Sequence, residues 1–528
     1  MRNLNFLTAL GLSTLSGCLW FLAVTPFDHA YLAWIASVPM LAAVDRTPSL
    51  RRALFLGWWA GLVETAGGFY WLIDVMQRFA DFPWIGAAPI FLLFCAARAL
   101  IFLLFTGVVL GVRRNLPLPM TLLAPLAMVS GELLVPQIFP CGQWISQAWH
   151  PLVIQIAEIT GPFGVTAILM MINGALYDLM QGARAARLPA AAAVVVLAGA
   201  LLFSAVRMRQ VDTMIARAPR LEIGLLQPNF AYSVTGEVAR EETLRQLAAL
   251  QEQSRRLQQG GAELLLWSEG SYPIAVPRDF RTDFSPDSLA RIRRGFDVPT
   301  IIGADMYDAA HDDAYNSAIL LDRSGRVGGF YDKVRLLAFG EYIPGIEAFP
   351  WLRKLLPEGA GRFTAGGGPG ILPLTGPAGQ SWRLAPVICY EDILPGYLHR
   401  VGQLRPNLLV NLTSDSWFGA ATEPWEHLAL SVFSSVELRV SMVRAVNSGV
   451  SALIDANGRV VQKTYADDPL LHPRPADGAL VSAPVMSSAP TLFARVGNLF
   501  AYLCVAACAA ALIVSAYRFR RSKSRPPG

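Results

Sequence analysis

Residues 383–388, RLAPVI, form a run of buried-strand length, and Cys389-Tyr390-Glu391-Asp392 ends it on a thiol followed closely by two carboxylates. The same arrangement occurs twice upstream. ELLLW (263–267) runs into Ser268-Glu269-Gly270, and the GGFYD end of a hairpin runs into Lys333. Short apolar runs read as buried strands, and strand ends in α/β sheets are where ligand crevices form. Further strands are expected at 221–226, 299–303 and 406–411. Hairpins are expected at 315–322 with 326–331, around Ser324-Gly325, and at 449–455 with 458–463, around Asn457-Gly458. Helices are expected at 237–258, 286–294, 394–402 and 424–444. This alternation predicts α/β layers, with helices covering both faces of a β-sandwich (αββα).

Outside this region the chain changes character. It has 528 residues, 53% hydrophobic and only 16% charged, against about 25% charged in soluble domains, which excludes an ordinary soluble protein. Most Asp and Glu fall within 207–490, while 1–206 and 493–517 are apolar. A spanning helix needs about 20 apolar residues. Stretches 5–24, 29–44, 54–74, 85–112, 118–135, 152–181, 189–206 and 493–516 therefore predict a multi-pass α-helical membrane bundle of eight spans. The sixth is long enough to include a re-entrant approach. The first lacks a small-x-small cleavage site and is expected to be retained.

The expected organisation is seven spans in 1–206, a catalytic domain in 207–490, and one helix with a basic tail in 491–528. Arg46, Arg51, Arg52, Arg113, Arg114, Arg184 and Arg187 lie in alternate loops, and Arg518, Arg520, Arg521, Lys523 and Arg525 follow the last span. By the positive-inside rule both termini are cytoplasmic and the 207–490 domain lies on the far side. Glu64, Arg98 and Glu132, inside the spans, are expected to pair within the bundle.

Of six cysteines, only Cys389 lies in the polar domain. Disulfides need cysteines in even numbers, and no CxxC or His/Cys ligand spacing points to a metal. A thiol, a carboxylate and an ammonium meeting at strand ends make a nucleophilic set. Glu269 would be the general base, and Lys333 with the Tyr390 N–H would face the oxyanion. Positive charge beside the thiol is expected to favour the thiolate. His311, His399, His427 and His472 stand in no recognisable nucleophile setting.

The flanking strings narrow this further. WSEG (267–270), YDKVRLLAFGEYIP (331–344), VICYED (387–392) and NLTSDSWFG (411–419) resemble the nitrilase (carbon-nitrogen hydrolase) superfamily in order and spacing. More narrowly, with seven spans before and one after, the chain resembles the apolipoprotein N-acyltransferases. That resemblance implies Glu269, Lys333 and Cys389 as the catalytic triad, Glu341 as the glutamate that orients the lysine, and Tyr390 and Glu391 as supporting residues. It implies a ping-pong reaction in the bacterial inner membrane, with the catalytic domain on the periplasmic side. The partners would be a phospholipid donor, phosphatidylethanolamine by the resemblance, and an apolipoprotein acceptor, with no metal or diffusible cofactor and no nucleic acid. The alternative is a diverged membrane acyltransferase or amidase acting on another amine.

The insert 345–364 carries Phe349, Trp351, Leu352, Leu355 and Leu356 and suits a lid at a lipid interface. Trp417 and Phe418 are expected beside the acyl chain. Three positions depart from the family pattern. Ser268 and Ala338 stand where prolines are usual, and Thr235-Gly236-Glu237-Val238 replaces a Lys-Trp pair of the substrate site.

Overall fold

The computed structural model describes residues 4–79, 82–182, 186–230, 240–346, 348–349, 351, 361–376, 379–418, 422–464, 478–486 and 489–523. The chain divides into two compact units. One comprises residues 1–73, 82–208 and 496–528, and the other residues 74–81 and 209–495.

The first unit is helical. Trp84–Arg113, Phe163–Met180, Arg187–Arg217 and Leu499–Arg521 are long and apolar enough to cross a membrane. These are four of the eight expected spans. Phe6–Leu22, Ala30–Asp45 and Met120–Leu134 are apolar but shorter. Leu50–Gly68 has the length but carries Arg51, Arg52 and Glu64. The expected span 152–181 is interrupted: two single turns, Pro151–Ile154 and Ala157–Thr160, precede Phe163–Met180. The break falls where Gly161 takes φ 64°, a left-handed conformation open to glycine at little cost, and Pro162 follows. The hydrogen bonds described for the charges inside the apolar stretches run mainly to the 137–143 segment. Glu132 accepts from the Gln143 N–H at 2.7 Å, Glu64 from Gln143 Nε2 at 3.0 Å, and Arg98 donates to Gln137 and to the Cys141 carbonyl.

The second unit holds two sheets. β1 (Arg220–Leu225), β2 (Leu264–Leu266), β3 (Val276–Pro277), β4 (Thr300–Asp308), β5 (Asp313–Leu321) and β6 (Val327–Asp332) belong to the first. β7 (Leu372–Thr375), β8 (Ser381–Ile388), β9 (Leu408–Thr413), β10 (Met442–Val446), β11 (Ala452–Ile454) and β12 (Val460–Lys463) form the second in sequential order. β13 (Ala479–Pro484) returns to pair with β1. Leu247 and Leu250 of helix Arg240–Gln259 join Leu265, Trp267, Ile302 and Ile319 in one core cluster, which seats that helix on the first sheet. Gln227 ties the sheets together, donating to the Gly449 carbonyl at 2.9 Å and accepting from Ser451 Oγ at 2.9 Å.

Two expected helices are corrected. Residues 286–294 are not helical, because Asp283 captures the N–H groups of Ile292 and Arg293 at 3.0 Å each and Arg293 donates to the carbonyls of Asp297, Asp322 and Arg323. Side chains thus take the bonds a helix needs. The helix expected over 424–444 is Glu423–Leu438; Arg439 turns left-handed at φ 54° and the chain enters β10.

Topology decides where the ionisable residues meet. β2 and β4 are parallel, β5 is antiparallel to both β4 and β6, and β8, β9 and β10 are mutually parallel. The carboxyl ends of β2, β4 and β6 therefore share one edge of the first sheet, and those of β8, β9 and β10 one edge of the second.

Candidate active site

Glu269 follows β2, Lys333 follows β6 and Cys389 follows β8. Lys333 Nζ is 3.0 Å from Glu269 Oε1 and 2.8 Å from Glu341 Oε1, and the lysine is 1% exposed. Asn316, on β5, donates its Nδ2 to the same two oxygens at 2.7 and 2.9 Å. The second oxygens are also held: Glu269 Oε2 accepts from the Ser414 N–H at 2.9 Å, and Glu341 Oε2 from the Leu337 N–H at 2.8 Å. Gly303 lets the Glu269 turn come this close, since a Cβ there would lie 2.3 Å from the Ser268 carbonyl oxygen.

Cys389 is buried and stands at φ 53°, a left-handed conformation that costs a non-glycine residue on the order of 1–3 kcal/mol. Its surroundings fix it there. Asn411 Nδ2 donates to the Cys389 carbonyl at 3.0 Å. Glu391 accepts from the Ile388 N–H at 2.8 Å, from the N–H groups of Val334 and Arg335 at 2.8 and 2.9 Å, and from the Tyr331 hydroxyl at 2.6 Å. One buried carboxylate thus binds the loop after Lys333 to the turn of Cys389. Tyr390 adds a second tie, its hydroxyl donating to the Leu336 carbonyl at 2.8 Å, and its ring lies 5.8 Å from Lys333 Nζ.

The electrostatics follow from burial and these pairings. Burial raises the Glu269 carboxyl above its ordinary value, with Lys333 opposing and Glu341 adding to the rise. Burial pulls the Lys333 ammonium down, but Glu269 and Glu341 outweigh it and hold the group well above its usual range. For Cys389, burial and then Glu269 push the thiol well above its ordinary value, against the pull of Lys333. Lys333 acts in the expected direction, toward the thiolate, but burial and Glu269 outweigh it. Burial also carries Glu391 up to about 7, against the bonds from Tyr331, Ile388 and Arg335 and the charge of Lys333.

A buried thiol beside a carboxylate able to take a proton and an ammonium already fixed in place is equipped for acyl transfer. The comparisons with known proteins agree. Residues 16–175 match the apolipoprotein N-acyltransferase N-terminal domain and residues 224–468 the carbon-nitrogen hydrolase domain. A protein named apolipoprotein N-acyltransferase from Geobacter metallireducens is 30% identical, over 97% of this chain and 95% of its own length. The chain belongs to the apolipoprotein N-acyltransferase family. A second relative of that name, from Rhodopseudomonas palustris, is 29% identical over 98% of this chain and 95% of its own. Among solved structures, an amidase from Nesterenkonia is 16% identical, covering 54% of this chain and 96% of that one, with a TM-score of 0.33.

In this acyltransferase of the nitrilase superfamily, Lys333 is bonded to Glu269 and Glu341, and Glu391 and Tyr390 tie the Cys389 turn to the loop after Lys333. Of the residues expected to touch substrate, the side chains of three are described. Phe418 is buried, while Phe349 and Trp351 are 54% and 57% exposed with ring centroids 6.5 Å apart. The Trp417 side chain, the 235–238 segment up to the missing tryptophan, and Leu352, Leu355 and Leu356 lie outside the described residues. Sequence reading passed over Asn316, which bridges both carboxylates, and Asn411 and Ser414. The last two lie inside NLTSDSWFG, where the aromatics drew attention and the polar positions carry the contacts.

Proposed function

We propose that the chain N-acylates the α-amine of a lipoprotein's N-terminal diacylglyceryl-cysteine with an acyl chain from a phospholipid, by a ping-pong reaction through a Cys389 thioester. The observation that carries this reading is one buried ammonium, Lys333, shared by Glu269 and Glu341 next to the thiol. In the first half, Glu269 takes the Cys389 proton as sulfur attacks the ester carbonyl. Lys333 and the Tyr390 N–H face the developing oxyanion. The intermediate collapses by breaking the ester C–O bond, and the proton on Glu269 passes to the leaving lysophospholipid oxygen. In the second half, the neutral amine attacks the thioester, Glu269 takes its proton, the C–S bond breaks, and that proton returns to sulfur.

The donor is phosphatidylethanolamine on this reading. Support comes from the Asp305–Arg362 ion pair, 2.6 Å apart and partly exposed. Asp305 faces Asn316 directly across the β4–β5 ladder, so its side chain points to the same side as the catalytic carboxylates. A partly exposed pair of opposite charges there suits a zwitterionic headgroup. The exposed Phe349 and Trp351 suit a lid at a lipid surface. The eight-span topology, with cytoplasmic termini and a periplasmic catalytic unit, is part of this proposal and rests on the placement of the arginines.

Mass spectrometry of the protein incubated with phosphatidylethanolamine is expected to show an acyl adduct on Cys389 that clears when a diacylglyceryl-cysteine peptide is added. Clearance by water alone would favour the amidase-like alternative, and equal acylation from phosphatidylglycerol would remove the headgroup assignment.

A pH profile tests the base. Acylation needs Glu269 ionised, so it is present above the Glu269 pKa and lost as pH falls through it. Because that pKa is raised, the acid limb should lie above the ordinary glutamate range. Glu341→Gln removes a like charge and should move the limb to lower pH. A lower rate with an unmoved limb would show that Glu341 only orients the lysine.

A further inference from the structure

Behind the nucleophile's turn lies a second set of buried charges that the proposed chemistry does not use. Asp392, three residues after Cys389, is fully buried. Its carboxylate accepts from His427 Nε2 at 3.0 Å, from Ser431 Oγ at 2.8 Å and from the Arg444 guanidinium. The other nitrogen of His427, Nδ1, lies 3.1 Å from Asp415 Oδ1. Asp415 directly follows Ser414, whose N–H holds Glu269 Oε2. With a carboxylate oxygen on each ring nitrogen, His427 is satisfied as an imidazolium donating from both. It spans the two halves of the site, with the nucleophile's turn on one side and the seat of the general base on the other.

We propose that His427 is a positioning residue for acyl transfer: its imidazolium locks the Cys389 turn to the Glu269 seat and neutralises Asp415, whose charge otherwise acts on the thiol. This rests on the reading of Cys389 as nucleophile and Glu269 as base. The groups facing His427 are Asp392 from the nucleophile's turn, Asp415 after β9, Arg444 from β10, and Glu423 of its own helix at 3.9 Å. Burial and Arg444 pull the imidazolium down, but Asp392 and Asp415 outweigh them and carry it up to about 10. Asp415 is among the groups that push the Cys389 thiol up.

Asp415, Glu423 and His427 also offer ligand atoms within 4.8 Å of one another. Both ring nitrogens of His427 already face carboxylate oxygens, of Asp392 and Asp415, so the ring is committed to bridging them, and bound zinc is one outcome of the test.

The test is the pH dependence of Cys389 alkylation by iodoacetamide in the full-length, detergent-solubilised protein, read by peptide mass spectrometry. His427→Gln should move the midpoint up by about one pH unit, roughly tenfold in thiolate fraction. Adding Asp415→Asn should bring it back, and Asp415→Asn alone should move it down. Asp415→Asn also supplies the test if His427→Gln does not fold. A purely structural histidine would lower the yield of folded protein and leave the midpoint where it was, which overturns the proposal. So would one equivalent of tightly bound zinc in the purified wild type. Glu269→Gln serves as the separating control, since removing that charge should move the midpoint down: if it does so while His427→Gln leaves the midpoint unmoved, the proposal for His427 fails and the reading of Glu269 stands; if neither moves it, both fail.

Discussion

Cys389→Ala is expected to eliminate the acyl adduct and to lower acyl transfer by roughly 10,000-fold or more, the scale seen when a covalent nucleophile is removed from a catalytic unit. Its effect on stability should be small. Alanine keeps the β-carbon and therefore the same left-handed backbone, and the bonds that hold the turn come from the Cys389 carbonyl, the Ile388 N–H and Glu391, none of which the substitution touches. The thermal transition of the variant in detergent should stay close to that of the wild type while radiolabelled acyl chain fails to attach. Retained acyl transfer in the alanine variant would remove the thioester from the mechanism. Cys389→Ser should also fail: a hydroxyl is a far weaker acid than a thiol, and one carboxylate does not make it a nucleophile.

Lys333→Met is expected to damage both fold and chemistry. The ammonium is bonded to Glu269 and Glu341 at 3.0 and 2.8 Å in a buried site. Removing one partner of a buried ion pair typically costs about 3–5 kcal/mol, because the other charge is left unpaired. Here two carboxylates are left, both bonded to the same Asn316 amide. The sign with pH follows. Without Lys333 the Glu269 pKa should rise further, since a like charge remains and the cation is gone. The penalty should therefore be greatest above the raised pKa and ease as pH falls and one carboxyl binds a proton. Thermal melts across pH check this: a variant destabilised equally at low and neutral pH would mean Lys333 only fills space. Activity should fall at least about 1,000-fold near neutrality, where the base becomes protonated and the oxyanion loses its cation. Lys333→Arg is not expected to rescue it, because a planar guanidinium cannot replace a compact ammonium between two carboxylates.

What was legible in the sequence had a local signature. Glu269, Lys333 and Cys389 each sit directly after an expected strand or in the turn next to one, which placed them at strand ends, and the parallel pairing seen in the fold brings those ends into line. Asn316 had no such signature, because a polar residue in the middle of β5 reads like any other alternate position. His427 sits inside a buried helix, and its partners Asp392 and Asp415 are 35 and 12 residues away in the chain. Only the tertiary fold shows that it is doubly paired. The upward push on the thiol had no local signature for the same reason. Lys333 was visible as a cation near the nucleophile, whereas burial and the Glu269 charge, which outweigh it, depend on packing. The absent 286–294 helix failed through Asp283, one carboxylate taking two N–H groups ahead of the helical pattern. In the membrane unit, hydropathy located the apolar stretches but not their interruptions at Gly161 and Pro162.

The left-handed turn at Cys389 has an evolutionary consequence. Glycine is the residue that backbone would accept most readily, and glycine is the one that carries no side chain to react. Selection for thermostability alone would therefore push this position toward a better-folded and inert protein. On the proposed mechanism, turnover requires the side chain that stability alone would discard, and the local strain marks that conflict within a single residue.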